Sequence, residues 1–420
     1  MGTENKTIYV YSNWGNRVPE LMGMLYVSDI RGKELFSFEY KKDWIHSTGS
    51  SFLLDPDLLL FEGRQYVPSG KPLFGVFSDS CPDRWGRLLM NRKEAIMARK
   101  EGRKPRTLME SDFLLGVFDE SRMGGLRFSL SENGPFLSED VNFPVPPWTT
   151  LRALESASLV FENDENGQEE KWLSQLLAPG SSLGGARPKA SVRAPDGSLW
   201  IAKFPSKHDE WNSGAWEIIV HDLAGKCGLR IPEARLETFS DIGGTFLVKR
   251  FDRSGVGRIH FSSAMTLLSK TDGDGADNVS YLDLAYFIKA NGAFPKQDLE
   301  ELWKRLVFNI AVSNNDDHLR NHGFLLSKNG WTLSPQFDVN PNIYGNTLSL
   351  NVTSDNNAAS FELALETAEY YGVDMRSAEN TLADIKKTVT QNWRVLAADY
   401  GLSRGAIDRM EPAFKMEYKL

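Results

Sequence analysis

A chain of 420 residues is too long for one comfortable hydrophobic core, so its length implies two or three domains or lobes. Its 41% hydrophobic, 11% aromatic and 25% charged residues are those of a soluble globular protein and exclude a disordered or fibrous chain. The formal net charge of −8 argues against nucleic acid as the main ligand, because chains that live on DNA or RNA usually carry a basic balance.

Residues 7–40 alternate apolar and polar and read as short strands joined by turns. Phe52–Phe61 is apolar but broken by Asp55, Pro56 and Asp57, too short to span a bilayer. Residues 82–100 form a helix opened by Pro82 and Asp83, with Trp85, Leu88, Leu89 and Ile96 at helical spacing. A second short helix is expected over 105–119, then a turn into a strand at 123–128. The proline-, glycine- and acid-rich stretch 131–149 is a domain boundary. A helix follows near 149–160, then an acidic solvated segment over 162–170. Residues 181–260 are β-rich around one helix at about 212–227. From about 280 onward the chain is mostly helical, with a hairpin at 323–334.

The two cysteines, Cys81 and Cys227, lie far apart and make neither a disulfide framework nor a zinc pattern. The polar residues Met1–Lys6 have no apolar h-region behind them, so no secretory signal is expected. The expectation is a soluble cytoplasmic protein with no membrane partner.

Four segments carry chemistry. In the first, Ser181-Ser182-Leu183-Gly184-Gly185-Ala186-Arg187-Pro188-Lys189, small residues let backbone N–H groups approach an anion and Lys189 adds charge. It is not a Walker A loop, and by itself a glycine turn before a strand explains it as well. The second is a hairpin, 190–194 and 199–204, around Pro195-Asp196-Gly197. It carries Lys203, either a strand-edge lysine or a phosphate ligand, and the next helix supplies Glu217. Glycine-rich loop, strand lysine and helix glutamate is the order of parts in a kinase N-lobe, where the glutamate holds the lysine.

The third segment, Ser313–Asn321, follows an amphipathic helix with Leu302, Leu306, Val307 and Ile310 on one face. Asp316 and Asn321 have the D-x-x-x-x-N spacing of a kinase catalytic loop. There a carboxylate accepts the substrate hydroxyl proton, and an amide oxygen five residues on binds Mg²⁺ as a hard ligand. The fourth, Leu333–Pro341, places Asp338 where a second metal-binding aspartate belongs. Each segment alone has a bland explanation as a turn or cap; their joint occurrence in this order does not.

With these motifs the chain resembles HipA-type kinases of toxin–antitoxin modules over nearly its whole length. S-x-x-G-A-x-x-K is matched at 182–189, a strand lysine before proline at Lys203-Phe204-Pro205, and E-R-F-D-R with one change at 249–253. D-x-H-x-x-N is matched at 316–321 and P-x-x-D at 335–338; Pro82–Gly86 and Gly125–Phe128 are also family-like. The resemblance implies an α+β, protein-kinase-like fold, β-rich in its N-terminal part with a mainly helical C-terminal lobe. The expected domains are an N-terminal domain over 1–145, an N-lobe-like part over 146–260 and a helical C-lobe over 261–420.

It also implies roles. Asp316 is the catalytic base, and His318 lies beside the transferring phosphoryl group. Asn321 and Asp338 bind Mg²⁺. Gly184, Gly185, Ala186, Lys189, Lys203 and Glu217 serve ATP, and Lys249, Arg250 and Phe251 form the adenine-contacting hinge. Ser182, or its neighbour Ser181, is autophosphorylated, which switches the enzyme off. The implied partners are a protein substrate in the translation machinery, such as an aminoacyl-tRNA synthetase, and a HipB-like helix-turn-helix antitoxin. DNA is met only through the antitoxin. Two departures stand out: Lys249 replaces the hinge glutamate, and Arg320 replaces a lysine.

Two other readings compete. A small-molecule phosphotransferase on a related fold would carry the same catalytic parts. A non-catalytic or weakly catalytic co-repressor would use the basic stretch Arg84–Arg106, nine Lys/Arg against two glutamates, to approach phosphates or an acidic partner. A solvated helix face explains that stretch better, and joint retention of Lys203, Asp316, Asn321 and Asp338 opposes a dead enzyme.

Overall fold

Strands dominate the start of the chain and helices its end, in an α+β architecture. The computed structural model describes residues 5–15, 18–46, 52–137, 145–163, 176, 185, 187–255, 257–272 and 279–416. It divides into one unit of Met1–Lys207 with Asp252–Ser262, and another of His208–Phe251 with Ser263–Leu420.

In the first unit, β1 (Asn5–Ser12), β2 (Glu20–Ile30), β3 (Lys33–Tyr40), β4 (Arg64–Tyr66) and β5 (Leu126–Ser129) form an antiparallel sheet in the order β4-β3-β2-β1-β5. Period-two alternation sends Ile8, Val10, Leu25, Val27, Phe36 and Phe38 to one face, where all are buried. The turn between β2 and β3 has both central residues, Arg31 and Gly32, at positive φ (58° and 78°), the twist a tight antiparallel hairpin needs.

Helix α1 (Arg84–Lys100) is capped by Asp83, as its sequence predicts; α2 (Glu110–Gly116) and α3 (Leu151–Asn163) follow. The hairpin of β6 (Lys189–Arg193) and β7 (Leu199–Lys203) closes through Ala194 and Ser198 with Gly197 at φ 84°. The segment Asp252–Ser262 returns to this unit through Asp252, whose carboxylate accepts from the Gly124 N–H at 2.8 Å.

In the second unit, α4 (Ser213–Lys226) lies against the hairpin of β8 (Ala234–Ser240) and β9 (Gly243–Lys249). The Asn212 side chain both caps α4 and accepts from the Gly244 N–H at 2.9 Å. Next come α5 (Tyr281–Asn291) and α6 (Pro295–Val312). The hairpin of β10 (Gly323–Ser327) and β11 (Gly330–Leu333) and helices α7 (Phe361–Thr367), α8 (Met375–Asp399) and α9 (Arg404–Phe414) complete the unit.

Helix α6 differs from expectation. Instead of one apolar face it is buried nearly all round from Leu302 to Val312, with Arg305 and Asn309 buried among the apolar residues. Hydrogen bonds make this tolerable: Arg305 donates to Glu301 and to the Ser334 carbonyl, and the Trp303 indole donates to the Ala364 carbonyl. Both cysteines are free thiols, and burial pushes each up to about 12. Among the described residues no helix is long and apolar enough to cross a membrane.

Candidate active site

Helix α6 ends at Ser313, which takes a left-handed conformation (φ 52°) and releases the chain into the loop 314–322. Asn314 N–H still bonds back to the Asn309 carbonyl at 2.9 Å, so the loop starts from a rigid post. Asp316 and Asp317 then point to opposite environments. The Asp316 side chain is 83% exposed. Asp317 is 1% exposed and accepts from the Tyr281 hydroxyl and from Ser349 N–H at 3.0 Å. Burial pushes the Asp317 carboxyl up to about 6 against the pull of those two donors. Of the two, only the Asp316 carboxylate is open to solvent.

His318 stands near it, Nε2 3.9 Å from Asp316 Oδ1, with a ring 45% exposed. Asn321 closes the loop: its Nδ2 donates to the Asp316 carbonyl at 2.7 Å. That bond leaves Asn321 Oδ1 buried and without a protein partner among the described residues. An unused amide oxygen held beside a carboxylate loop suits a hard cation. His322 behind it is buried, and its pKa falls to about 3, so it is a neutral ring.

Asp338 occupies the left-handed region (φ 56°), where aspartate is among the few side-chain-bearing residues that settle. Asn340 Nδ2 lies 3.5 Å from its Oδ1. One residue before it, Phe337 packs its ring 5.5 Å from that of Phe251, so the expected hinge and the segment of Asp338 touch. Lys249 turns its ammonium to Glu233, 3.3 Å away, and its N–H bonds to the Glu233 carbonyl. The swap from glutamate to lysine at this position is thus absorbed by a local ion pair. Arg250 is buried.

Among the other expected residues, Lys203 ends β7 half-buried in the first unit, directly opposite Lys189 across the hairpin. Glu217 is buried in α4 of the second unit. Lys189 is 3% exposed, and its ammonium lies 2.8 Å from Asp83 and 3.1 Å from the Gly185 carbonyl. Ser181, Ser182, Gly184 and Ala186 lie outside the described residues. The basic stretch is extensively paired: Arg87 with Glu110, Arg103 with Glu94 and Glu101, Arg106 with Asp112. Such pairing favours the solvated-face reading.

Sequence reasoning missed Tyr281 and Asn309. Tyr281 follows the helix-opening Ser280, whose reciprocal bonds with Asp283 form a capping box legible as S-x-x-D. Its bond to Asp317, 36 residues away, has no local signal.

Fold and site define a HipA-like protein. The chain belongs to that family: the model of the HipA-like C-terminal domain matches residues 181–393, half of the chain. A Haemophilus influenzae protein named "Putative kinase" is 30% identical over 197 residues, 40% of this chain and 56% of that protein. A Sinorhizobium fredii protein named "Putative kinase Y4dM" is 22% identical over 254 residues, 56% of each. The chain spans about half the length of the curated relatives it matches. Among solved structures, the complex of Shewanella oneidensis MR-1 HipA, HipB and operator DNA matches with a TM-score of 0.68 at 15% identity. That match covers 97% of this chain and 96% of the other, a likeness of fold.

Proposed function

We propose that the protein is a Mg²⁺- and ATP-dependent serine/threonine protein kinase that acts as a HipA-like toxin. The observation that carries this reading is the loop in which an exposed Asp316 is tied through its own carbonyl to Asn321, whose Oδ1 has no protein partner among the described residues. Asp316 takes the proton of the acceptor hydroxyl as that oxygen attacks the γ-phosphorus and ADP leaves. His318, near Asp316, contacts the phosphoryl group. Lys203 binds phosphate oxygens, and the backbone of 249–251 binds the adenine. Asn321 Oδ1 and the Asp338 carboxylate would hold Mg²⁺, which would supply positive charge to neutralise the phosphates.

Regulation by autophosphorylation of Ser182, or Ser181, is carried from the family resemblance. A phosphoserine there would repel ATP phosphates and bring the segment out of use. The acceptor is proposed to be a component of translation, such as an aminoacyl-tRNA synthetase. The Shewanella structure contains HipB and operator DNA, which supports a HipB-like antitoxin as partner here, with DNA reached through it.

The test is transfer of radiolabel from ATP to protein in a cell lysate, comparing the native chain with Asp316→Asn. Labelled bands with the native chain alone support the reading; the same bands with both, or none with either, overturn it. Expression in bacteria at matched levels tests the toxin role: the native chain is expected to slow growth and Asp338→Ala to relieve it.

A further inference from the structure

The motif Pro82-Asp83-Arg84-Trp85-Gly86 has no part in the chemistry above, yet it is built into the first unit in an unusual way. Asp83 is buried and divides its carboxylate between two tasks. One oxygen accepts from Gly86 N–H at 2.8 Å and caps α1; the other lies 2.8 Å from the Lys189 ammonium. Trp85 adds two bonds. Its indole N–H donates to the Lys189 carbonyl at 3.1 Å, and its backbone N–H to the Gly185 carbonyl at 3.4 Å. Lys189 itself donates to that same Gly185 carbonyl at 3.1 Å. Both ends of the stretch from Gly185, which has φ 52°, to Lys189 are therefore gripped by the first turn of α1.

The register of the hairpin gives this grip a purpose. Lys189 and Lys203 are cross-strand partners, so both side chains leave the same face of the β6–β7 pair. Two ammonium groups directly opposite each other repel. Asp83 removes the conflict by neutralising Lys189 and drawing its side chain into a buried ion pair.

We infer that Asp83 and Trp85 are positioning residues for nucleotide binding, and that Lys189 is an anchor rather than a ligand of ATP. They hold Lys189 and the Gly185 carbonyl in place, and Lys203 remains the proposed phosphate ligand. This rests on the kinase reading, and it replaces the phosphate-binding role that the motif suggests for Lys189.

The experiment measures Mg·ATP affinity by calorimetry on the full chain, with thermal unfolding of each protein alongside. Asp83→Asn keeps an acceptor that caps helices well but leaves Lys189 without a carboxylate. It is expected to weaken ATP binding ~10-fold or more, and Lys189→Met to weaken it by a similar factor, each by leaving one buried charge unpaired. The double variant Asp83→Asn/Lys189→Met removes both charges and is expected to recover to within about 3-fold of the native affinity. Trp85→Phe deletes only the indole bond and is expected to weaken binding a few-fold; it serves as the test if Asp83→Asn does not fold. If Lys189 instead contacts phosphate, the double variant will bind as poorly as Lys189→Met, and the inference fails. It also fails if Asp83→Asn and Trp85→Phe bind like the native chain while Lys203→Met does not; that outcome leaves the kinase reading intact. Absence of Mg·ATP binding by the native chain sinks both.

Discussion

Asp316 and Asp317 are neighbours in sequence and opposites in environment: the first is open to solvent, the second fully buried against Tyr281 and Ser349. If the proposed kinase chemistry holds, substitutions at the two positions are expected to have different effects. Asp316→Asn is expected to abolish phosphoryl transfer while changing ATP affinity and thermal midpoint little. Asp317→Asn keeps the shape but mismatches one of the two donors, costing about 1–3 kcal/mol. Denaturant titration and single-turnover transfer of both variants check this. A native transfer rate in Asp316→Asn would move the base elsewhere.

Asn321 donates to the Asp316 carbonyl and keeps an Oδ1 without a protein partner among the described residues. Asn321→Ala loses both the bond to the Asp316 carbonyl and the open Oδ1. It is expected to raise the Mg²⁺ concentration that half-saturates nucleotide binding by about tenfold or more. At Asp338 the backbone adds a second effect. Asp338→Ala and Asp338→Gly both remove the carboxylate and are expected to weaken metal-dependent binding alike. Alanine must also hold φ 56°, at a cost of about 1–2 kcal/mol that glycine escapes. A fluorescent nucleotide titrated with Mg²⁺, together with melting curves, reads both effects; equal stability of the two variants would show that the backbone relaxes.

What the sequence disclosed follows from how local each signal is. The alternation of residues 7–40 and the Asp83 cap act within a few residues, and each appears in the structure at its expected place. Couplings between distant residues left no such trace. Asp83 meets Lys189 across 106 positions, and Tyr281 meets Asp317 across 36. Helix α6 departs from expectation for a related reason. Its apolar positions read as one face, but Arg305 and Asn309 are buried too, against partners that periodicity does not reveal. The return of Asp252–Ser262 to the first unit rests on scattered long-range contacts, Asp252 with Gly124 N–H, Arg253 with the Glu120 and Arg122 carbonyls, Arg258 with Asp119 and His260 stacked on Trp14, and not on any shift in composition.

Two helical glycines make a stability test of packing against propensity. A Cβ on Gly214 in α4 would sit 2.0 Å from the Gly244 carbonyl oxygen, which is backbone and cannot swing aside; one on Gly405 in α9 would meet nothing. In a helix interior alanine is the better helix former by about 1 kcal/mol, and these two positions lie in the first turn, so the preference there is at most that large. At Gly405 that preference acts alone, so Gly405→Ala is expected to stabilise by up to about 1 kcal/mol. At Gly214 the overpacking penalty of about 1–3 kcal/mol prevails, and Gly214→Ala is expected to lower stability and loosen α4 from β9. Urea titrations of the two variants decide it: stabilisation by both would mean that α4 moves freely off the hairpin.

His260 makes the first unit sensitive to acid. Its ring is buried and stacks on Trp14 at 4.6 Å, and burial lowers its pKa from 6.5 to about 3. The unfolded chain protonates this histidine below about pH 6.5, whereas the folded chain does not until near 3. Stability contributed by the neutral ring is thus fully present above 6.5 and is lost as pH falls, at up to about 1.4 kcal/mol per unit. Asp55, in the same unit, works in the opposite sense. Burial raises its carboxyl to about 6, so it gains stability as pH falls from there toward 4. The two partly cancel in the native protein, and the informative quantity is a difference. Between pH 7.5 and 5, His260→Leu is expected to lose about 2 kcal/mol less than the native chain, whatever fixed cost the lost stacking brings. Urea midpoints measured at several pH values give that difference directly. Parallel curves for the two proteins would mean that the folded state already accommodates the proton on His260.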